Sequence, residues 1–317
     1  MAALSILRGG MFTTVQDLGR WGFQSRGVPV SGALDWYSHR LANGLLGNDA
    51  AMATLEVTLI GPHVRFEAGG AFAVTGAEFG LTLDDVPVEM NRAIEAKAGS
   101  VLRFGERLFG ARAYVAVAGG IDVPQVLGSR STHVLTNMGG HEGRALKTGD
   151  ALRIGEEKEG SRSLFGHFTP VTRGGATPLT KNEKRGSDPI FGCRLRVIPI
   201  DERLSAHITS QRFRVSPQSN RMGYRLEGAA LVDAPSGELI SAAIPTGAIQ
   251  VPPTGQPILL MNDHATTGGY AIAGAVIAAD LPIAGQLAPG DWVAFETCSI
   301  QTANAELCRR EAALDAA

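Results

Sequence analysis

Short segments in which apolar residues alternate with polar or small residues recur along the chain. A period of two places successive side chains on opposite faces of a strand, and glycine or proline bounds most of these segments. The pattern is clearest over His63 to Phe66, Ala71 to Thr75, Tyr114 to Ala118, Ile258 to Met261 and Trp292 to Phe295. It predicts a mainly β protein with strands of about five residues.

Glycine-centred turns come directly before several of these strands. Three such turns are Ala98-Gly99-Ser100, Thr148-Gly149-Asp150 and Pro289-Gly290-Asp291. Glycine supplies the left-handed conformation that tight turns require, and repeated hairpins are typical of barrels. The sequence therefore predicts β-barrels.

Helical patterns are fewer. Ser31 is the predicted N-cap of a first helix, leucines repeat along one face of it, and Gly47 is its predicted end. Two more helices are predicted, one over Glu202 to Thr209 and one from Ala303 to Leu314.

A segment near the middle of the chain divides it. Residues 155–189 are rich in glycine, serine, threonine, proline and charge, and they lack a periodic apolar pattern. We interpret them as a linker or long excursion between a β lobe over residues 1–154 and a second one over residues 190–317, which ends in the terminal helix. Similar motif spacing in the two flanks predicts two related β-barrel lobes with a few short helices.

Composition excludes several classes of protein. The chain has 317 residues, 44% hydrophobic and 19% charged, with a formal net charge of -2, which excludes a disordered chain and gives no basic surface for nucleic acid. The longest apolar stretch is far shorter than the about 20 residues that a bilayer requires, and the first residues do not follow a signal-peptide pattern. We expect a cytoplasmic protein. The three cysteines form no C-x-x-C pair, which favours reduced thiols and no metal site.

The strongest local motif runs from Ser219 to Glu227. On a strand, Arg221 and Arg225 would point to one face about 13 Å apart, with Gly223 between them. Such a face could seat an anion or a planar carbonyl compound, with Asn220 beside it. Alternatively, the arginines pair with nearby acids on a solvated sheet face.

A second motif follows the predicted strand that ends at Met261. Asp263 or His264 could act there as a general base, and Gln250 precedes the motif as a binding candidate. The adjoining polar loop could present backbone N–H groups to an oxyanion; it contains Thr266, Thr267, Gly268, Gly269 and Tyr270. The alternative is a hairpin turn with a capping aspartate and a surface histidine.

The first lobe offers three more substrate-binding candidates near glycine turns. They are Asp17, Arg20 and Asp35, which could equally be caps and turn formers. The sequence has no phosphate-binding P-loop, Rossmann glycine motif, H-E-x-x-H or G-x-S-x-G, and no Met-Lys-Met biotin-attachment signature. Any biotin involved would arrive on another chain.

Several long blocks together resemble the KipA-like family. They read FTTVQDLGRWGFQSRGVPVSGALDWYSHRLANGLLGN, LEVTLIGP, YVAVAGGIDVPQVLGSRST, SNRMGYRLEG, GAIQVPPTGQPILLMND and TTGGY. Members are described as allophanate hydrolase subunit 2, the carboxyltransferase segment of urea carboxylase, and the C subunit of 5-oxoprolinase. The chain departs from the family at Ala271, where proline is common.

The resemblance implies two cyclophilin-like barrel lobes and an incomplete enzyme. Its partners would be a KipI-like subunit and, for an oxoprolinase, a further subunit of the LamB/YcsF type. The first reaction implied is ATP-dependent opening of 5-oxoproline to glutamate, with ATP used by the complex. The alternatives are carboxyl transfer from biotin to urea, and a non-enzymatic antagonist that binds a KipI-like kinase inhibitor. For the first reaction, Arg221 and Arg225 would supply positive charge.

Overall fold

The computed structural model describes residues 3–156, 193–231 and 240–315, and it divides into two units. Among these residues, the first unit contains 3–20, 31–156 and 313–315, and the second contains 21–30, 193–231 and 240–312. Apart from Gly155 and Glu156, the predicted linker lies outside the described residues.

The first unit is built on one sheet of ten strands. Their bounds are β1 Ala3–Arg8, β2 Phe12–Gln16, β3 Thr54–Thr58, β4 His63–Phe66, β5 Gly70–Leu83, β6 Val86–Val88, β7 Ala93–Ala96, β8 Val101–Val117, β9 Ile121–Asp122 and β10 Ala151–Ile154. The main path runs β2-β3-β8-β4-β1-β10-β9, and β5 pairs with β6, β7 and β8. Fully buried apolar side chains such as Leu4, Val57 and Phe72 form its core.

Two strands of this sheet are much longer than predicted. β5 has 14 residues and β8 has 17, because their pairing continues through register shifts between Gly76 and Leu81. Register shifts let a strand bend without ending. Gly80 and Gly105 approach closely there, since a Cβ on Gly105 would lie 3.1 Å from the Gly80 carbonyl oxygen. These two strands are the exceptions to the predicted length of about five residues, since each of the other described strands has seven residues or fewer.

The second unit contains a closed barrel of seven strands. The strands in the described residues of this unit are β11 Cys193–Pro199, β12 Arg212–Val215, β13 Gly223–Glu227, β14 Ala242–Ala243, β15 Ala248–Val251, β16 Ile258–Leu260, β17 Thr267–Gly268, β18 Ala271–Val276 and β19 Trp292–Thr297. The barrel order is β11-β18-β15-β16-β13-β12-β19, and parallel pairing of β11 with β19 closes it. The predicted mainly β fold with barrel-like sheets is confirmed.

Four α-helices accompany the sheets in the described part of the chain. They are α1 Trp36–Gly44, α2 Glu202–Thr209, α3 Leu281–Gly285 and α4 Ile300–Asp315. The predicted α2 is confirmed, and α4 begins three residues earlier than predicted. None of the described helices has the length and apolar character needed to cross a membrane.

The N-cap of α1 differs from the predicted one. Asp35 caps the helix, because its Oδ1 accepts a hydrogen bond of 2.8 Å from the backbone N–H of Ser38. Ser31 instead has a φ of 57° and lies in the chain before the helix. A carboxylate three residues before an N–H is as good a cap as serine, so the sequence left the choice open.

The three predicted glycine turns are confirmed. Gly99, Gly149 and Gly290 have φ values of 85°, 93° and 91°, and a strand begins two residues after each glycine. In the second turn, Asp150 accepts hydrogen bonds from the backbone N–H of Lys147 and from Arg144. The Arg144 hydrogen bonds are the main reason that the pKa of Asp150 falls from 3.8 to about 2.

We expect Asp150→Asn to destabilise the protein by about 2 kcal/mol at pH 7, because the ionised carboxylate is bound more tightly in the folded chain than in the unfolded chain. A lowered folded-state pKa stabilises above the unfolded pKa and loses that effect as the pH falls from 3.8 to about 2. Urea unfolding from pH 7 to pH 2 should show the difference from wild type shrinking. Asp85→Asn, at an exposed pair with Arg103, is the control. An equal difference at both pH values would contradict the assignment.

Candidate functional site

Four side chains form a row across the outer face of the barrel in the second unit. Arg225 of β13 lies opposite Ile258 of β16. Gln250 of β15 lies opposite Ile258 on one side and opposite Ile272 of β18 on the other. Directly opposed residues of antiparallel strands project to the same face. We call these four residues the outer row.

The strand neighbours of the outer row point into the barrel and are at most 1% exposed: Tyr224, Ile249 and Leu259. Arg225 is exposed, and its guanidinium makes no ion pair or side-chain hydrogen bond with any described residue. In the outer row, the guanidinium of Arg225 therefore lies on one side of Ile258 and the carboxamide of Gln250 lies on the other side.

The carboxamide of Gln250 is enclosed, and Gln250 is only 7% exposed. A short sheet of β14 and β17 covers it, and a Cβ on Gly268 would lie 2.8 Å from the Gln250 Nε2 and 2.5 Å from the Ile244 Cδ1. Nε2 is buried and has no hydrogen-bond partner among the described residues. A buried donor without a partner costs about 1–3 kcal/mol, so it is rare in folded proteins.

Arg221 and Asp263 form a buried ion pair near one end of the outer face. The Arg221 Nε lies 2.9 Å from Oδ2 of Asp263, and Nη2 lies 3.1 Å from Oδ1. Both side chains are 7% exposed. The pair is bidentate, which is the strongest geometry for a guanidinium and a carboxylate.

The predicted common face of Arg221 and Arg225 does not form. β13 begins only at Gly223, so Arg221 lies before the strand and turns inward to its carboxylate. Two backbone hydrogen bonds continue the pairing beyond β13 and β16, from Met261 N–H to the Met222 oxygen and from Asp263 N–H to the Arg221 oxygen. These bonds hold Arg221 and Asp263 side by side. Of the two arginines, Arg225 is the one that belongs to the outer row.

Asn220 has a local role at the start of this segment. Its Oδ1 accepts a hydrogen bond of 2.8 Å from the backbone N–H of Met222. The same residue forms an isolated bridge with Gly223. The amide therefore shapes the turn that brings Arg221 to its partner.

Two hydrogen bonds orient the ring of His264. Its Nδ1 lies 2.7 Å from the Ala265 carbonyl oxygen, which can only accept, so the proton of the neutral ring is on Nδ1. Nε2 then accepts from the hydroxyl of Thr246 at 3.2 Å. Burial lowers the pKa of His264 below 6.5 because it disfavours the imidazolium. The sequence motifs gave no indication of Thr246.

The predicted polar loop of threonines and glycines is partly a strand. Thr267 and Gly268 form β17 and pair with β14, while the Thr266 oxygen accepts from the Ile244 N–H. Gly269 is half-buried, and Tyr270 is 50% exposed. This segment therefore covers Gln250, and it does not form the open turn expected of an oxyanion site.

The candidates in the first unit have structural partners. Asp17 accepts hydrogen bonds from the backbone N–H groups of Gly19 and Arg130 and from the hydroxyls of Ser129 and Ser131. This set of donors saturates the carboxylate. Asp17 therefore anchors the loop over residues 129–131.

Arg20 and Asp35 are also enclosed in the first unit. Arg20 is 1% exposed, and its Nη2 donates to the Ser131 carbonyl oxygen. Asp35 is the cap of α1, and its Oδ2 accepts from the Ser38 hydroxyl at 2.6 Å. For Asp35, the geometry matches the cap that the sequence left as an alternative.

Comparison with known proteins gives consistent similarities. A family model described as the carboxyltransferase domain, subdomain A and B, matches residues 26–297. The C subunit of 5-oxoprolinase from Escherichia coli (strain K12) is 42% identical over 306 residues, which cover 95% of this chain and 93% of that protein. The protein of the same name from Haemophilus influenzae is 36% identical over 92% of this chain and 89% of that protein.

A solved structure is similar over the whole length of the chain. The crystal structure of the Kluyveromyces lactis urea carboxylase matches with a TM-score of 0.83 and 31% sequence identity, covering 99% of this chain. The match covers 29% of that much longer chain.

We expect Asp263→Ala to lower the free energy of unfolding by about 3–5 kcal/mol, because it leaves a buried guanidinium without its carboxylate. Replacing both partners, with Arg221→Met and Asp263→Leu, should recover much of that loss. Arg225→Ala is the matched control, with an expected change below about 0.5 kcal/mol at an exposed site. Urea unfolding of the full chain measures all four proteins. Equal costs for Asp263→Ala and Arg225→Ala would rule out the buried pair.

Proposed function

Because the chain belongs to the carboxyltransferase domain A and B family, whose KipA-like members its sequence resembles, we propose that it is one subunit of an ATP-dependent 5-oxoprolinase. The observation that carries the proposal is the 42% identity to the C subunit of a 5-oxoprolinase over 93% of that protein. The urea carboxylase match, by contrast, covers 29% of a longer chain. The proposed complex opens the lactam of 5-oxoproline to glutamate.

The reaction needs activation, because amide resonance makes the lactam carbonyl a poor electrophile. Transfer of a phosphoryl group from ATP to the lactam oxygen supplies that activation. Water then adds to the ring carbon and the C–N bond breaks with a proton going to nitrogen, which leaves ADP and γ-glutamyl phosphate. A second water molecule hydrolyses this acyl phosphate to glutamate and phosphate. This chain has no P-loop. We assign the nucleotide to one of the partner proteins.

His264 is the better candidate for the general base. Both oxygens of Asp263 accept hydrogen bonds from Arg221, which leaves that carboxylate committed to its partner. The Nε2 lone pair of the neutral His264 ring accepts one hydrogen bond of 3.2 Å, from the hydroxyl of Thr246, and this lone pair takes the proton in the proposed reaction when the hydroxyl turns away. A base must be unprotonated to work, and burial lowers the pKa of His264, which favours the neutral ring.

The Arg221–Asp263 pair acts in this proposal as a positioning unit. It joins the segment before β13 to the loop that carries His264, which follows Asp263 directly. Arg225 is the exposed cation that can meet a substrate anion. The partner subunits, KipI-like and LamB/YcsF-like by the family resemblance, would complete the active site.

A second candidate is the carboxyltransferase part of a urea carboxylase. The TM-score of 0.83 to a urea carboxylase and the description of the family model favour it. Biotin would then be carried on another chain and would bring the carboxyl group to urea. A third candidate, an antagonist of a KipI-like kinase inhibitor without enzyme activity, rests on the family resemblance alone.

Reconstitution of the chain with its partner subunits tests the proposal. We expect ATP-dependent release of glutamate from 5-oxoproline, and a fall in kcat/KM as the pH drops through a value below 6.5, where His264 gains a proton. His264→Asn should lower kcat by about 10²–10⁴-fold. Thr246→Val is the neighbouring control, and we expect a change of less than about tenfold because the base itself remains.

Each alternative outcome has a distinct meaning. A complex that ignores 5-oxoproline and carboxylates urea with a biotin carrier would establish the second candidate. Tight assembly with no turnover of either substrate would favour the antagonist. Glutamate release that survives His264→Asn would exclude His264 as the base and leave the reaction intact.

A further inference from the structure

Gln250 is the one residue of the outer row whose burial is not explained by packing. Ile258 and Ile272 are apolar and half-buried, as expected on a covered sheet face. Gln250 places a polar amide between them, with Nε2 enclosed and unpaired among the described residues. Leucine fills most of the same volume and would avoid the cost of a buried unpaired donor. The amide is therefore expected to gain its partner when a ligand binds.

We propose that Gln250 and Arg225 together select a ligand that carries both a ring amide and a carboxylate and that lies across Ile258. This inference rests on the proposed function and names the two side chains that would recognise its substrate. The carboxamide would bind the amide edge of the ring, and the guanidinium would bind the carboxylate.

The first contact follows from the shape of a ring amide. Ring closure holds the N–H and the C=O of a lactam on the same edge. A glutamine carboxamide presents one donor and one acceptor side by side, so it can form two parallel hydrogen bonds with that edge. A half-turn of the amide exchanges donor and acceptor, so either direction of the ring edge can be matched. A lactone lacks the N–H and can keep one of the two bonds.

The second contact follows from the spacing of the row. Arg225 and Gln250 lie on β13 and β15, with β16 between them, so their backbones are about 10 Å apart. Both side chains extend from the same face, so a small ring that bridges their polar ends would lie over Ile258. A guanidinium binds a carboxylate through two N–H groups. Arg225 is available for this because no described residue forms an ion pair with it.

Access to the amide depends on the β14–β17 sheet. Its strands have two residues each, and Gly268 packs directly against Nε2 of Gln250. A sheet this small has few backbone hydrogen bonds, so it can open locally at low cost. A Cβ on Gly268 would also come within 2.5 Å of Ile244 and must displace a neighbour. The glycine thus keeps the cover close to the amide.

The test is a cycle of ligands and variants on the chain assembled with its partner subunits. The ligands are 5-oxoproline, its lactone analogue with a ring oxygen in place of N–H, and 2-pyrrolidinone, which lacks the carboxylate. In the wild type, we expect either omission to weaken binding by about tenfold. In Gln250→Leu, the lactam and the lactone should bind within about twofold of each other. In Arg225→Gln, 5-oxoproline and 2-pyrrolidinone should likewise bind within about twofold of each other.

A stability measurement separates recognition from a structural role. Removing a buried unpaired donor should leave the thermal midpoint of Gln250→Leu unchanged or higher while ligand discrimination is lost. Arg203→Gln, an exposed arginine on α2, is the matched control for Arg225→Gln and should keep full discrimination. A lower midpoint for Gln250→Leu with discrimination retained would overturn the proposal.

The remaining outcomes distinguish this inference from the proposed function. Equal wild-type binding of lactam and lactone, or no binding of any of the three ligands, would overturn the recognition by Gln250 and Arg225. If the complex releases glutamate but shows either of these binding results, the oxoprolinase assignment still holds. A ligand cycle that behaves as expected without glutamate release would keep the recognition and reject the reaction.

Discussion

Closure of the seven-stranded barrel is the constraint on which the candidate site depends. Tyr224, Ile249 and Leu259 must point inward to fill the barrel, and they are at most 1% exposed. Since strand side chains alternate, their neighbours are then forced outward. The outer row of Arg225, Ile258, Gln250 and Ile272 is thus a consequence of packing the interior, and its spacing is the spacing of the strands.

The two arginines of the Ser219 to Glu227 motif have different roles, because one is buried and the other is exposed. A buried guanidinium is tolerated only with a well-placed counter-charge, and Arg221 has one in Asp263. Arg225 lies on an exposed position and has no such requirement. The buried arginine therefore stabilises the segment that precedes the catalytic candidate His264, and the exposed arginine keeps its charge available for an anion.

The first unit illustrates how polar motifs can be entirely structural. Asp17 receives four hydrogen bonds, three of them from a loop more than a hundred positions later in the chain, and Asp35 caps a helix. Asp150 reinforces a glycine turn in a similar way. A carboxylate near a glycine in sequence looks the same whether it binds backbone N–H groups or substrate. Only the set of donors around it distinguishes these cases.

The sequence by itself determined the local and periodic features of this protein. The strand at His63 to Phe66, the helix at Glu202 to Thr209 and the turns at Gly99, Gly149 and Gly290 follow from alternation, capping and glycine conformation, which act over a few residues. The motif blocks also indicated the family that the sequence resembles. Tertiary structure decided which side chains meet: Arg221 with Asp263, His264 with Thr246, and Gln250 with Gly268. These contacts join residues that are 42, 18 and 18 positions apart, and their partners are fixed by barrel closure and by the cost of burying charge or an amide, which no local pattern encodes.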